Sequence, residues 1–271
     1  MAELAIGLLG TGRMGKEILS VVAEHSGRYR LAGLWTHSGS NSLGKTIQEL
    51  TGAAGGDIAA SADLPAVLAN ADVAIDFTLA AATGKVVAAA RAAGKPLVCG
   101  VSGVSPESMQ AMREAARDIP VFFARNMSIG IALLERCVAM SGAVLGTDFQ
   151  IEINDLHHAQ KKDAPSGTAL LLGEAAAAAR GQDFADVMHY QPSGTAAPPQ
   201  GSIVFHVRRE GGHPGAHSVS FANASETLTF SHSVANRRVF ASGALRAASW
   251  LCGQAPGLYG MQDLLADPGK G

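Results

Sequence analysis

The sequence predicts an α/β protein in two parts: a Rossmann-like doubly wound parallel sheet, then a second α+β domain with a mixed sheet. Three observations carry this. Short apolar runs alternate with helix-patterned segments through the first half, as in βαβ units. A glycine-rich turn, Gly10-Thr11-Gly12-Arg13-Met14-Gly15, joins the first apolar run to the first helix. Beyond about Ser128 the pattern changes to one long helix, then strands with period-two alternation and Gly/Pro turns.

Taken in order, Leu4–Leu9 is an apolar run ended by Gly10, and residues 14–24 set Ile18, Leu19 and Val22 at helical spacing. Residues 31–35 and 73–77 read as strands, and an alanine-rich helix follows over about 80–93, closed by Gly94. Residues 96–99 and 121–123 are further strands, with a polar helix over 106–117 between them. Ile129–Leu145 is a long helix, after which Phe149, Ile151 and Ile153 alternate with polar residues as on a half-buried strand. A second alanine-rich helix covers about 168–179. Residues 202–233 are strands broken at Gly211-Gly212 and Pro214-Gly215. Arg238–Leu251 returns to helix, and residues 253–271 read as a polar tail with one apolar patch, 261–265. The expected division is a dinucleotide-binding domain over 1–127, a second domain over 128–237, and a C-terminal segment, about 238–271, that returns to the first.

Composition narrows the function classes. Of 271 residues 47% are hydrophobic, enough for a substantial core, and a formal charge of −2 offers no attraction to nucleic acid or an anionic membrane. Cys99, Cys137 and Cys252 lie far apart without CxxC or Cys/His spacing, a reduced, cytoplasmic pattern with no zinc knuckle. No continuous apolar run reaches the ~18 residues of a membrane span. Neither nucleic acid nor membrane is therefore expected as a partner.

The glycine turn has the context that gives G-x-G-x-x-G its meaning. The first glycine permits the tight turn, the second lets backbone approach a pyrophosphate, and the third lets helix and strand pack closely. The helix N-terminus supplies N–H donors. An acidic residue ~20 positions on normally accepts from the adenosine ribose. Here Thr36-His37-Ser38 follows the second strand with no carboxylate, so nothing repels a 2′-phosphate, and Arg13 and His37 can reach one. NADPH is expected to serve at least as well as NADH. Asp76-Phe77-Thr78 and Gly100-Val101-Ser102-Gly103 end later strands, where ligands of open α/β sheets bind.

The most informative stretch is Leu156-His157-His158-Ala159-Gln160-Lys161-Lys162-Asp163-Ala164-Pro165-Ser166-Gly167-Thr168. Two histidines, two lysines and an aspartate lie between a strand and a helix. No cysteine or further ligand set completes a metal site, so none is expected. Pro165 suits a first helical turn, Ser166 or Thr168 can cap, and Gly167 leaves backbone N–H groups open. Such an open N-terminus beside lysines and histidines suits a small acidic substrate with proton donors at hand. A basic loop ahead of a capped helix accounts for the same residues without a ligand.

This stretch resembles the signature of the dihydrodipicolinate (4-hydroxy-tetrahydrodipicolinate) reductase family. The likeness runs through the Gly12-Arg13-Met14-Gly15 loop, Ile75-Asp76-Phe77-Thr78, Gly100-Val101-Ser102-Gly103 and Arg125-Asn126-Met127-Ser128-Ile129-Gly130. It continues through Gly215-Ala216-His217 and Phe240-Ala241-Ser242-Gly243-Ala244 to Trp250-Leu251. The resemblance implies a homotetrameric enzyme whose second domain binds substrate and forms the oligomer. Its reaction would reduce the cyclic product of aspartate-semialdehyde and pyruvate to tetrahydrodipicolinate, with loss of water, in diaminopimelate and lysine biosynthesis. His157 would give or take a proton and Lys161 would be the general acid. His158, Lys161, Ser166, Gly167 and Thr168 would hold the carboxylates of a small dicarboxylate substrate. NADPH or NADH would lie against Gly10, Thr11, Gly12, Arg13, Met14, Gly15, Thr36, His37, Phe77, Thr78, Gly100, Val101, Ser102, Ala124, Arg125, Asn126 and Met127. The chain departs from the family pattern in a glycine loop one residue shorter, in Thr36-His37, in Val101-Ser102, and in Gln160 for a third histidine. An amino-acid dehydrogenase-like enzyme, or a nicotinamide-binding sensor without catalysis, would share the glycine loop but not the histidine–lysine stretch.

Overall fold

The computed structural model describes residues 3–52, 57–190 and 198–267. What was expected of the tail at 268–271, and of 191–197 within the second domain, lies outside them. The chain divides into two compact units, Met1–Met127 with Arg237–Gly271, and Ser128–Asn236.

The N-terminal part of the first unit runs β1 (Leu4–Leu9), α1 (Arg13–Glu24), β2 (Tyr29–Trp35), α2 (Ile47–Thr51), β3 (Ala60–Ser61), α3 (Leu64–Ala69) and β4 (Val73–Asp76). It continues with α4 (Thr83–Ala92), β5 (Leu97–Cys99), α5 (Pro106–Ala115) and β6 (Pro120–Phe123). The second unit holds α6 (Ile129–Leu145), β7 (Gln150–His157), α7 (Gly167–Ala179), α8 (Phe184–Val187), β8 (Met188–Tyr190), β9 (Ile203–Arg209), β10 (Ala216–Ala222) and β11 (Thr227–Ser233). The chain then re-enters the first unit with α9 (Arg238–Leu251), β12 (Gly257–Tyr259) and α10 (Met261–Ala266).

In the first unit seven parallel strands lie in the order β12-β6-β5-β4-β1-β2-β3. The central strands are apolar on both faces: Leu8, Leu9, Ile75, Val98 and Phe122 are all fully buried. That is what a parallel sheet covered on two sides requires. Each such side chain contributes about 1.5–3 kcal/mol through burial. The tail is not merely polar. It adds β12 beside β6, and Trp250 of α9 meets Phe122 and Tyr259 edge-on at 6.2 and 5.3 Å between ring centres. A Cβ at Gly243 of α9 would stand 1.8 Å from the Met127 carbonyl oxygen, so α9 packs directly on the backbone at the end of the N-terminal segment.

In the second unit the order is β11-β10-β7-β9-β8, with β7, β9 and β8 parallel and β10 antiparallel to both β7 and β11. Ile151 and Ile153 of β7, Phe205 of β9 and Val219 and Phe221 of β10 form one core with Ile131, Leu134 and Val138 of α6 and Leu172 and Ala176 of α7. Small residues let the two helices approach: a Cβ at Gly142 would lie 3.2 Å from the Ala176 oxygen. One expectation needs correcting. The helical stretch Ile129–Asp148 is long and apolar enough, by length and composition, to cross a membrane. Counting only uninterrupted apolar residues missed it, because Glu135-Arg136 divides the run while the average stays high. A core helix meets the same test, and α6 uses its apolar face against the sheet.

Candidate active site

The first candidate site lies along the carboxyl edge of the seven-stranded sheet. Residues just beyond the strands extend its hydrogen-bond ladder: Gly10 N–H donates to the Trp35 oxygen, Phe77 to Leu9, Gly100 to Asp76 and Ala124 to Cys99, at 2.9–3.2 Å. The three glycines of the turn have separate, visible reasons. Gly10 has φ +107°, and a Cβ there would be 2.6 Å from the Phe77 oxygen; one at Gly15 would be 2.0 Å from the Gly10 oxygen. Gly12, just ahead of α1, has nothing within 4 Å of its Cβ position, so its backbone stands open. An open cradle at a helix N-terminus fits a pyrophosphate.

Beside it is a cleft of about 880 Å³ lined by Gly10, Thr11, Gly12, Thr36, His37, Phe77 and Thr78. Trp35, residues 38–42, Leu79 and Lys85 also line it, and these the sequence reading missed. Lys85 holds its ammonium 5.5 Å from the centre of the Trp35 ring. Thr11 and Thr36 share a hydrogen bond between hydroxyls, 3.2 Å. Arg13 and Ser102 are exposed, and neither lines this cleft; nor do Met14, Arg125 and Asn126. The side chains of Val101 and Met127 are buried, 3% and 2% exposed, so a ligand there would meet their backbone. Gly100 is a glycine for packing, since a Cβ would sit 2.3 Å from the Phe77 ring.

Beneath this edge Asp76 is fully buried at the end of β4. It accepts from the Thr78 N–H at 2.8 Å, and the Cys99 thiol lies 3.9 Å from its other oxygen. Burial raises its pKa to about 6 against that hydrogen bond, and burial with the Asp76 charge pushes the Cys99 thiol up to about 12.

The second candidate site is the segment expected to carry the chemistry. His157 is the last residue of the eight-residue β7, which runs beyond the alternation read as far as Ile153. Pro165 precedes the helix instead of opening it. Ser166 is the N-cap, accepting from the Ala169 N–H at 3.2 Å, while the Gly167 Cβ position is open to 4 Å. His158 donates its backbone N–H to the His213 oxygen, and Lys161 donates its own to His158, folding the loop back. The Lys161 ammonium is held by both oxygens of Asp163, at 2.8 and 2.7 Å. Burial opposes charge on Asp163, but Lys161 prevails and its pKa is lowered.

The sequence reading missed the centre of this cluster. Asp155, 1% exposed, lies two residues before His157 on the same face of β7. Its Oδ2 accepts from the Ser166 N–H at 2.7 Å and from Arg209 Nη2 at 3.0 Å. Its Oδ1 lies 2.8 Å from His157 Nδ1 and 3.3 Å from His217 Nε2. Burial would raise the pKa of Asp155, but the contacts with His157, His217 and Ser166 outweigh it and hold the carboxyl well below the usual range. Ligand atoms of Asp155, His157 and His217 all fall within 4.8 Å of one another, as a metal would need. Oδ1 and His157 Nδ1 are close without a well-angled hydrogen bond, whereas the Ser166 N–H and the Arg209 guanidinium bond Oδ2 and tie the carboxylate into an ionic cluster. Continued alternation, Ile151, Ile153, Asp155, His157, was the available signal.

Known proteins resemble the chain along nearly its whole length. The family model described as dihydrodipicolinate reductase, N-terminus, matches residues 4–127, and its C-terminal counterpart matches 130–265. A protein of Hahella chejuensis named 4-hydroxy-tetrahydrodipicolinate reductase is 39% identical, covering 98% of this chain and 99% of its own. One of the same name from Pseudomonas fluorescens is 41% identical over 94% of this chain and 95% of its own. Among solved structures, a dipicolinate-bound dihydrodipicolinate reductase from a Paenisporosarcina species superposes with a TM-score of 0.74 at 21% identity, over 97% and 100% of the two chains. A myo-inositol dehydrogenase from Corynebacterium glutamicum does so at 0.59 and 14%, over 100% of this chain and 90% of its own. At these identities the two structures speak for the fold alone. The chain belongs to the dihydrodipicolinate reductase family, whose members are NAD(P)H-dependent oxidoreductases of diaminopimelate and lysine biosynthesis.

Proposed function

We propose that this chain reduces 4-hydroxy-tetrahydrodipicolinate to tetrahydrodipicolinate, consuming NAD(P)H and a proton and releasing water. The observation that carries the reading is the set of contacts by which Asp155 joins His157 to the Ser166 N-cap of α7, while Arg209 joins Asp155 to the loop in which Asp163 holds Lys161. Bound nicotinamide supplies the hydride, and the first unit, residues 1–127 with the returning C-terminal segment, holds it. The Gly10–Gly12–Gly15 cradle would take the pyrophosphate. The cleft from Thr36 to Thr78 would take the adenosine half, and the backbone after β5 and β6, including Ser102, Arg125 and Asn126, the nicotinamide half.

Within the second unit, the start of α7 at Gly167 and Thr168 and the charge of Lys161 suit one carboxylate of a diacid, with Ser166 fixing that start through the N–H it gives to Asp155, and His158 suits the other. Hydride addition to a conjugated imine leaves carbanion-like charge that takes up a proton. Lys161 Nζ is the donor in this reading, and the incoming carboxylate replaces Asp163 as its partner. His157 gives or accepts the second proton as hydroxide leaves as water. The protein assembles as a homotetramer in the cytoplasm through this second unit, which leaves Leu133, Met140 and Val144 of α6 exposed. NADPH serves at least as well as NADH, because Lys85 and His37 face the cleft and none of its described lining residues is acidic. A coupled assay following NAD(P)H oxidation with freshly formed substrate tests the reaction. No oxidation above the uncatalysed rate would reject it, and kinetics with both cofactors would reject NADPH use if NADH were strongly preferred.

A further inference from the structure

The buried face of β7 changes character along its length. Ile151 and Ile153 are fully buried against the helices, and the next two inward positions on that face are Asp155 and His157. Placing a carboxylate there is costly unless every lone pair is met, so an ionic end to an apolar strand calls for a reason. Strand register supplies the partners. His217 of β10 stands directly opposite Asp155, and Arg209 of β9 opposite His157.

We propose that Asp155 is a positioning residue for the reduction, holding His157 and the start of α7 in one frame to which Arg209 ties the Lys161 loop. The proposal rests on the roles given above to His157, Lys161 and Ser166. Asp155 Oδ1 turns the Nδ1 edge of His157 inward, at 2.8 Å. Nε2 is then the nitrogen on the Gly215 side, where a Cβ would come within 2.9 Å of it. Carboxylates that fix a histidine edge in this way set which ring nitrogen carries out the function. Asp155 Oδ2 takes the Ser166 N–H, and so fixes the N-cap ahead of Gly167, whose Cβ position is open to 4 Å. Arg209 donates to the Asp155 carboxylate at 3.0 Å, to the Asp155 backbone oxygen at 3.1 Å and to the Asp163 oxygen at 2.6 Å. The loop that carries Lys161 is thereby fastened to the strand that carries His157. One carboxylate thus spaces the proton donors relative to the carboxylate cradle, and misplacement by about 1 Å at such a site costs on the order of 10²-fold in rate.

The test uses the full chain with Asp155→Asn, which keeps shape and one acceptor but removes the charge. Circular dichroism and size-exclusion chromatography establish that it folds. Steady-state kinetics then give kcat and KM, and calorimetry gives Kd for pyridine-2,6-dicarboxylate, a diacid probe, and for NADPH. The expected result is kcat at least tenfold lower and diacid Kd at least tenfold higher, with NADPH Kd within twofold of wild type. A residue that only stabilised the fold would leave kcat per folded protein and the diacid Kd unmoved, and that result overturns the proposal. If Asp155→Asn does not fold, Arg209→Lys takes its place, since it keeps charge but loses the fork that spans Asp155 and Asp163. A rise of fivefold or more in diacid Kd supports the frame, and an unchanged value overturns it. Wild-type protein that fails to oxidise NAD(P)H with substrate rejects the proposed reaction itself. Active wild type and an impaired Lys161→Ala, beside an Asp155→Asn that matches wild type, rejects only the positioning role.

Discussion

Replacing Asp76 by asparagine should stabilise the protein, and more so at higher pH. Asp76 is fully buried, and its pKa in the folded protein is about 6 against 3.8 for an unhindered group. A folded-state value above the unfolded one means that the native protein binds the proton more tightly. Stability tied to this group is therefore complete below 3.8, falls as pH rises, and is lost above about 6. At about 1.4 kcal/mol per tenfold change in proton affinity, the full loss is on the order of 3 kcal/mol. Asparagine keeps the oxygen that accepts from the Thr78 N–H and places a neutral amide beside the Cys99 thiol. Some of the gain is offset by an amide that finds only sulfur to bond to, so about 1–2 kcal/mol should remain at pH 8. Urea unfolding of both proteins at equal protomer concentration, at pH 8 and at pH 4, measures it. Asparagine should be the more stable at pH 8, with the advantage shrinking toward pH 4. A difference that is destabilising at pH 8, or the same at both pH values, would refute the assignment of a strained buried charge.

Lys161→Ala should lower kcat by about 10²–10⁴-fold, the usual worth of a positioned acid, and near-normal turnover would remove it from the mechanism. Gly15→Ala forces a Cβ to within 2.0 Å of the Gly10 oxygen, so the loop must shift. About 1–3 kcal/mol of stability and at least tenfold in NADPH affinity should be lost, as calorimetry and thermal melts would show. His37→Asp puts a carboxylate on the exposed rim of the cleft near Lys85. It should shift the NADPH-to-NADH ratio of kcat/KM toward NADH by about tenfold or more, and an unchanged ratio would remove the 2′-phosphate from that rim. Gly215→Ala meets both a left-handed φ of +154° and the His157 ring at 2.9 Å. Turnover should fall at least tenfold with NADPH binding intact, and equal turnover would show that the ring has room to move.

Much of the fold was legible because local pattern and global architecture agree along the central strands and long helices. Leu4–Leu9, Ile129–Leu145 and Arg238–Leu251 have the bounds that their apolar spacing indicated. Elements set by tertiary context were not legible. Residues 60–61 become β3 only because β2 offers an edge to pair with, and 257–259 become β12 only because β6 does. Neither segment has enough apolar length to announce itself. α2 was readable in principle, since Thr46 and Glu49 form a reciprocal capping box, a local signal in a polar stretch. Lys85 gave no signal at all. Which flank of α4 faces the cleft follows from Val86, Val87 and Ala90 packing on the sheet, a fact of three dimensions.

The candidate site shows the same division more sharply. Histidines, lysines and an open cap are local features, and the stretch from His157 to Thr168 displayed them in sequence. What orders them is not local: Asp155, Arg209 and His217 come from three strands, and register alone brings Arg209 opposite His157 and His217 opposite Asp155. Sequence alternation stopped being read at Ile153 because the next inward position was charged, and a charge reads as solvent-facing by default. That default fails where a strand leaves its apolar core and enters a site, since buried charge is tolerated only with partners in place. An acidic residue in phase with the buried face of a strand, two positions before a histidine, is thus a sign that the site begins inside the sheet and not in the loop after it.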